Sequence, residues 1–216
     1  WLNGQDPFDE ADEFIRDLKA AEFNPPDGFD SHVFHPIGID GYKSNPVFQK
    51  RGDKGLVISP FLDENAIKVI QDQIAVYKLR VFSNKEDLDS LTNSTLEKCD
   101  SYYLAEMIRD GESAFSETDE GGEPQQQNLH AKVFLFEDNG QAQLLLGSSN
   151  ASLAARDRNT EFMIELVGDS VYSKIYRDLT GVDGKSGPFF HYQRGEDQDY
   201  QSKDDAITQK LRELEY

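Results

Sequence analysis

The sequence predicts an α/β/α sandwich built on a mixed β-sheet. A compact apolar run at Leu56–Ile58 is followed by a segment with helical periodicity and by a second apolar run at Leu79–Ser83. A strand, a helix and a strand in this order form a right-handed crossover between two parallel strands. Residues 131–137 and 141–146 flank the turn 138–140, which contains Asn-Gly, and this pattern indicates an antiparallel hairpin. Parallel and antiparallel pairs together predict a mixed sheet.

The first part of the chain is predicted to be an extension of this domain. Apolar residues at helical spacing predict a helix within residues 9–23, and the proline pair 25–26 ends it. Residues 27–53 are rich in Gly, Pro, Asp and Lys and are predicted to be mostly loop, with a short extended piece within 33–39 left open. We therefore assign residues 1–53 to an N-terminal helix and loop extension.

Residues 54–180 are predicted to form the α/β domain. Its first helix begins after the N-cap Asp63 and places the apolar residues 66, 67, 70 and 74 on one face. The later elements are predicted as a helix with a break near Thr92, two strands and a helix, at residues 85–96, 102–107, 161–167 and 171–179.

Two segments are predicted to be polar and irregular. Residues 110–128 combine glycines and a proline with many acids, and we interpret them as a solvated acidic loop, the alternative being a lid over the motif that follows. Residues 181–216 are predicted to be a polar C-terminal extension with a terminal helix at 205–214.

Composition limits the classes of function. The formal net charge is -19, and a strongly acidic surface repels nucleic acid and anionic lipid at long range. This argues against a nonspecific DNA coat protein but not against an enzyme with a local basic site. The single cysteine, Cys99, excludes an internal disulfide and a Cys-based zinc site and is typical of the reducing cytosol, so we expect a cytoplasmic location.

No apolar run approaches the length of about 20 residues that a bilayer span requires. The chain begins with Trp1 rather than Met, which is typical of a fragment or a processed chain. The lack of a signal peptide is therefore uninformative.

Four polar side chains are predicted to converge on one point. Residues i and i+2 of a strand share a face, so His130 and Lys132 are predicted to project together. The hairpin returns the chain and brings Gly147, Ser148 and Asn150 beside them. Gly147 allows the backbone to approach a ligand closely, and Ser148 and Asn150 are predicted to share a face. An imidazole, an ammonium, a hydroxyl and an amide would then meet.

This set of groups suits a phosphate. Lys132 supplies charge and Asn150 supplies amide N–H donors, while His130 can act as a nucleophile near neutral pH without a metal. Glu161 is a candidate to hold the far nitrogen of the imidazole, the alternative being an ordinary carboxylate at the start of a strand. Ser149 is predicted to turn away from this point.

The remaining histidines and two arginines are candidates for other roles. His32 and His35 are three residues apart and could bind a metal, but no carboxylate or cysteine pattern accompanies them, so neither a metal nor a cofactor is predicted. His191 lies beside two phenylalanines and is predicted to pack against apolar neighbours. Arg156 and Arg158 could reach a substrate phosphate or lie in a solvated loop.

The ordered motifs resemble those of the phospholipase D superfamily. That family has H-x-K, an acidic residue, G-S-x-N and a downstream N-x-E, and this chain reads HAKVFLFEDNGQAQLLLGSSN and then RNTE. The resemblance extends over roughly residues 54–180. Glu137 stands where the family usually has Asp, and the loop before G-S-x-N is a few residues longer than is common in the family.

The resemblance implies a mechanism with two histidines. His130 would attack phosphorus and form a phosphohistidine, and a histidine from a second H-x-K motif would protonate the leaving oxygen and then activate water. Lys132 and Asn150 would bind the non-bridging oxygens, which Ser148 helps to position, and no metal takes part. This chain has one H-x-K motif, so the second would come from an identical subunit in a homodimer or from the missing half of a longer chain.

The sequence therefore predicts a phosphodiesterase, with a nuclease or DNA-end phosphodiesterase as the leading function. One alternative is a phospholipid-cleaving or phosphatidyl-transferring enzyme, which the acidity opposes. Another is a non-catalytic dimerisation or binding module of a larger protein.

Overall fold

A mixed β-sheet runs through the residues that the computed structural model describes, which are 10–104, 129–181 and 187–194. In chain order its strands are β1 (Phe29–Ile37), β2 (Lys54–Ile58), β3 (Leu79–Ser83), β4 (Cys99–Leu104), β5 (Val133–Asp138), β6 (Gln141–Gly147), β7 (Glu161–Asp169) and β8 (Phe189–His191). Their spatial order is β1-β7-β6-β5-β2-β3-β4-β8. The pairs β2–β3 and β3–β4 are parallel and the other pairs are antiparallel, which confirms the predicted mixed sheet.

The helices of the described residues are α1 (Glu10–Ala20), α2 (Glu64–Gln71), α3 (Lys85–Asp89), α4 (Asn93–Leu96), α5 (Leu153–Asp157) and α6 (Tyr172–Thr180), with a 3-10 helix at Pro46–Gln49. Among them, none combines the length and the apolar character that a membrane span requires.

Local signals explain where these elements begin and turn. The Asp63 carboxylate accepts hydrogen bonds from the N–H groups of Asn65 and Ala66, so it caps α2 as predicted. The break predicted near Thr92 separates α3 from α4. Asn139 and Gly140 both have positive φ, 49° and 82°, which is the conformation that a two-residue hairpin turn requires.

Helices cover both faces of the sheet. On one face, α2 buries Ala66, Ile67 and Ile70 against strand residues that include Phe134 and Phe136. On the other face, α6 packs Tyr172 and its neighbours against a second apolar cluster that includes Leu56 and Leu135. The α/β/α sandwich predicted from the sequence is therefore confirmed.

Residues 29–50, predicted to belong to the N-terminal extension, contribute a strand and core residues to the sheet. Residues 29–37 form β1, which pairs along its length with β7, and Val47 and Phe48 are buried in the core. The predicted boundary after residue 53 thus cuts through a single sheet. The sequence gives little sign of β1 because its polar and apolar residues do not alternate regularly: the strand lies at the sheet edge and its exposed residues include Val33 and Phe34.

The C-terminal segment also contributes to the fold. β8 pairs with β4, and Arg194 donates hydrogen bonds to the carbonyl groups of Asp89 and Leu91. The predicted acidic loop 110–128 and the predicted helix 205–214 lie outside the described residues.

Candidate active site

The H-x-K motif lies immediately before β5 rather than on it. The strand begins at Val133, and residues 130–132 have no regular secondary structure, so the expectation of strand alternation between His130 and Lys132 is wrong. His130 is exposed and Lys132 is half-buried, with its ammonium donating a hydrogen bond of 3.1 Å to the His130 carbonyl oxygen. The side chain of Lys132 therefore points back toward the backbone of His130.

Ser148 and Glu161 form the centre of the site. The Ser148 hydroxyl accepts a hydrogen bond of 2.9 Å from the Phe162 N–H and donates a short one to the Glu161 carboxylate. The other carboxylate oxygen accepts from the side-chain amide of Asn159 at 3.1 Å. The Glu161 carboxylate thus binds the side chains of Ser148 and Asn159, whereas the sequence predicted it as a partner of the His130 imidazole.

Lys132 lies within electrostatic reach of this carboxylate. Burial lowers the pKa of Lys132 below its ordinary value, and the negative charge of Glu161 partly offsets that effect. The ammonium is therefore partly buried and within electrostatic range of the Glu161 carboxylate. A phosphate oxygen that entered beside Lys132 would meet a cation that is only partly hydrated.

Ser149 turns away from the site, as predicted. Its side chain is fully buried, and its hydroxyl accepts a hydrogen bond of 2.8 Å from the Asn45 amide. The same amide group donates to the Ala155 carbonyl at 3.0 Å, and the Asn45 carbonyl oxygen accepts from the Val47 N–H at 3.1 Å. Asn45 therefore fastens the G-S-S-N loop from behind, a role that sequence reasoning missed because Asn45 is about a hundred residues away in the chain.

Asn150 is buried, with 2% of its surface exposed, whereas Ser148 is exposed. Residues 148–150 follow β6 and are not part of a strand, so the strand alternation from which a shared face was predicted does not apply to them. The next residue, Ala151, donates its N–H to the Ser59 hydroxyl at 3.0 Å. The loop is thereby fixed to the end of β2.

Gly147 is required by strand packing. A Cβ at this position would lie 2.1 Å from the Phe162 carbonyl oxygen and 2.7 Å from the Met163 sulfur. The absence of a side chain lets β6 and β7 approach at the point where Ser148 meets Glu161. Its predicted contact with substrate stays a prediction.

Glu137, which stands in place of the family's Asp, lies at the far end of β5 from His130. It is buried and accepts a hydrogen bond of 2.9 Å from Lys54 and a short one from Ser170. Burial alone would raise the pKa of Glu137, but these hydrogen bonds outweigh it and hold the pKa below its ordinary value. Glu137 therefore contributes to the end of β5 that is distant from His130.

The other three histidines of the chain are engaged elsewhere. His35 contacts the Glu165 carboxylate at 2.7 Å, and Lys50 contacts the second oxygen at 2.5 Å; we call these three residues the Glu165 cluster. The ring of His32 lies against Phe34, and that of His191 lies against Tyr102. His191 is otherwise exposed, so the packing role predicted for it is limited to this one contact.

Burial alone would raise the pKa of Glu165, but the hydrogen bonds from Lys50 and His35 hold it below its ordinary value.

Arg156 forms an ion pair with Asp157 through two of its nitrogens, so its charge is partly neutralised. Within the ranges that the structure describes, no three His, Cys, Asp or Glu side chains are grouped so that they could hold a metal ion.

No protein-family model and no curated protein matches this sequence. Solved structures to which the chain is similar include yeast tyrosyl-DNA phosphodiesterase, with 13% identity, a TM-score of 0.43 and coverage of 62% of this chain and 31% of that one. They also include Nuc from Salmonella typhimurium, described as a phospholipase D family member, at 11% identity and a TM-score of 0.44, covering 76% of this chain and 99% of that one. NucT from Helicobacter pylori has 15% identity and a TM-score of 0.40, covering 67% and 89%.

The chain thus spans about a third of the length of the yeast phosphodiesterase, at 31%.

Proposed function

We propose that this chain is a phosphodiesterase-type hydrolase of the phospholipase D superfamily that acts as a metal-independent nuclease. The observation that carries the proposal is the contact of the Ser148 hydroxyl with the Glu161 carboxylate, within electrostatic reach of the Lys132 ammonium. These groups belong to the three motifs that the sequence has in family order, and the exposed His130 belongs to the first of them.

In the proposed first step, a ring nitrogen of His130 attacks phosphorus in line with the leaving oxygen. The N–P bond forms as the P–O bond to the leaving group breaks, and a second histidine gives that oxygen its proton. In the second step, the same histidine takes a proton from water, whose oxygen attacks phosphorus and breaks the N–P bond. His130 is regenerated and a phosphomonoester is released.

The other side chains hold and neutralise the phosphate. Lys132 binds a non-bridging oxygen, and its partial burial strengthens that attraction. Ser148, held by Glu161 and by the Phe162 N–H, fixes the position of the oxygens. The charge of Glu161 partly offsets the lowering of the Lys132 pKa by burial. The side-chain amide of the buried Asn150 is proposed to donate to the phosphate.

The second histidine is proposed to come from outside this chain. His32, His35 and His191 lie against Phe34, Glu165 and Tyr102 respectively, and none of them belongs to a further H-x-K motif. A second copy of the chain, or a second half of a longer protein, would place the histidine of another H-x-K motif beside the exposed His130. A homodimer is the simpler of these two sources.

The proposal is tested by measuring the solution mass by light scattering together with hydrolysis of bis(p-nitrophenyl) phosphate in EDTA. We expect a dimer that hydrolyses the ester in the chelator. The next substrates are single-stranded DNA, double-stranded DNA and phosphatidylcholine vesicles.

Cleavage of DNA but not of the lipid supports a nuclease, and the reverse result supports the lipid-directed alternative. A well-folded dimer that cleaves none of these substrates, with or without metal, would contradict the proposal and favour a binding module.

A further inference from the structure

A basic cavity lies at the opposite end of the sheet from the candidate active site. It opens between the first residues of β2 and β3 and α6, and its volume is about 360 Å³. Lys54 at this end of β2 pairs with Glu137, whereas Ile58 at the other end pairs with Val133, next to Lys132. The length of β2, on the order of 13 Å, therefore separates the cavity from that site.

The cavity concentrates positive charge in an acidic chain. Lys54, Lys78, Arg80 and Arg177 line it together with one carboxylate, Asp100. The whole chain, by contrast, has 22 basic and 41 acidic residues. A group of four positive charges on an otherwise acidic protein attracts anions locally. Their mutual repulsion destabilises the group unless a negative charge is bound beside it.

Two of the four cations have no acidic partner within the described part of the chain. Lys54 is paired with Glu137 at 2.9 Å, and Arg80 lies 3.6 Å from Asp100. Lys78 and Arg177 are exposed and form no ion pair among the described residues. These two side chains are therefore available to an incoming anion.

Tyrosine rings fix the guanidinium of Arg80. Its central carbon lies 3.8 Å from the centre of the Tyr176 ring and 5.4 Å from that of the Tyr172 ring. One of its nitrogens, Nη1, donates a hydrogen bond of 3.2 Å to the Tyr172 hydroxyl. A guanidinium held in one orientation loses little conformational freedom when it binds a planar or tetrahedral oxyanion.

Tyr77 supplies an unused aromatic surface at the rim. The residue is 67% exposed and has a φ of 60°, a left-handed conformation that is costly for a bulky side chain. Exposed tyrosines beside cations are the features with which proteins stack nucleobases while they bind the phosphates.

We propose that this cavity binds a nucleoside phosphate, with the phosphate at Lys78, Arg80 and Arg177 and the base on Tyr77. Its volume suits one nucleotide, because ligand sites run from about 300 to 1,000 Å³. The site goes beyond the proposed hydrolase activity and uses none of its residues. The nucleoside phosphate can belong to a free nucleotide or to the end of a nucleic-acid strand.

The test is calorimetric titration of the full chain at low salt with adenosine monophosphate, adenosine and inorganic phosphate. We expect the nucleotide to bind about tenfold more tightly than either fragment, because charge and stacking both contribute. Nucleotide binding no tighter than that of inorganic phosphate would overturn the proposal.

Matched variants assign the binding to this cavity. The double variant Lys78→Ala/Arg177→Ala should weaken nucleotide binding by about tenfold or more. Lys174→Ala removes the same type of charge from α6 at a residue that pairs with Asp178 outside the cavity, and it should leave binding unchanged. Equal losses in both variants, or none in the double variant, would refute the assignment.

A third variant tests the ring. Tyr77→Gly suits the positive φ, so it removes the aromatic surface without straining the backbone. It should weaken nucleotide binding and leave phosphate binding unchanged; unaltered nucleotide binding would refute the stacking role.

A short 5′-phosphorylated single strand of DNA identifies the source of the ligand. If the strand binds more tightly than the nucleotide and the double variant removes the difference, a strand end is the ligand; if it binds no more tightly, a free nucleotide is. Because the double variant should hydrolyse bis(p-nitrophenyl) phosphate normally, failure of this proposal and failure of the proposed hydrolase are distinguishable.

Discussion

Two adjacent serines have different surroundings, and we predict that Ser148 serves the proposed activity and Ser149 the stability of the fold. Ser148 is exposed, accepts the Phe162 N–H and donates to Glu161, whereas Ser149 is fully buried and accepts the Asn45 amide. Replacing each by alanine removes one hydroxyl from the same loop. The Ser149 variant should therefore lose stability and keep its activity, and the Ser148 variant should lose activity and keep its stability.

For Ser149→Ala, the loss is in the core. One N–H of the Asn45 amide loses its acceptor, while the other still donates to Ala155 at 3.0 Å. A buried donor left unsatisfied costs about 1–3 kcal/mol. For a chain of this size each kcal/mol lowers Tm by about 2–4 °C, so a loss of about 2 kcal/mol predicts a decrease of about 4–8 °C. The kcat of the folded variant should change by less than about threefold, because Ser148 and Glu161 keep their contact.

For Ser148→Ala, the loss is in the site. Water can reach the exposed Phe162 N–H, so the cost in stability should stay below about 1 kcal/mol. The phosphate loses a positioning hydroxyl and Glu161 loses one of its two donors. We expect kcat/KM to fall by about 10- to 100-fold, as for other groups that position a reacting oxygen.

The assay pairs thermal unfolding followed by circular dichroism with hydrolysis of bis(p-nitrophenyl) phosphate in EDTA. Both measurements use the same preparations of the wild type and the two variants. A Ser149→Ala protein that is inactive but fully stable, or a Ser148→Ala protein that is fully active, would refute the assignment of the two serines.

Three further predictions concern the strands around the site. Gly147→Ala should destabilise the fold by about 3 kcal/mol or more, because its Cβ would meet the Phe162 carbonyl at 2.1 Å; a thermal melt unchanged from wild type would contradict this. In the Glu165 cluster the carboxyl pKa is depressed, so its stabilisation is present above the ordinary pKa of 4.5 and is lost as the pH falls below it. Glu165→Gln should therefore lower stability by about 2–3 kcal/mol at neutral pH and flatten its acid dependence in urea titrations, and an unchanged acid dependence would count against the cluster. Glu161→Gln removes the charge that raises the pKa of Lys132, so the alkaline limb of the kcat/KM profile should move to lower pH, and a shift to higher pH would contradict the coupling.

The elements with strong local signals were predictable from the sequence. The Asn139-Gly140 turn, the Asp63 cap and the apolar face of α2 each depend on residues within a few positions of one another. These local signals were enough to predict the mixed sheet. Ser148 and Glu161 meet because both lie where antiparallel β6 and β7 pair, whereas the sequence predicted Glu161 as a partner of the His130 imidazole.

The features that failed depend on distant contacts. β1 is a strand because β7 offers it an edge, and the residues of β1 do not show this by themselves. The alternation argument for His130 and Lys132 failed because β5 begins one residue after the lysine. Asn45 had a local signal, since Asn before Pro46 is typical of a helix start, but its contact with Ser149 could be seen only in three dimensions.

The measurement that tests the central claim most directly is the turnover of His130→Ala on bis(p-nitrophenyl) phosphate in EDTA. The control is His32→Ala, which removes a ring that lies against Phe34 on the edge strand. Both variants should unfold at nearly the wild-type temperature. The account predicts that the His130 variant loses all measurable turnover and the His32 variant keeps it. A folded His130 variant with wild-type turnover would contradict the account.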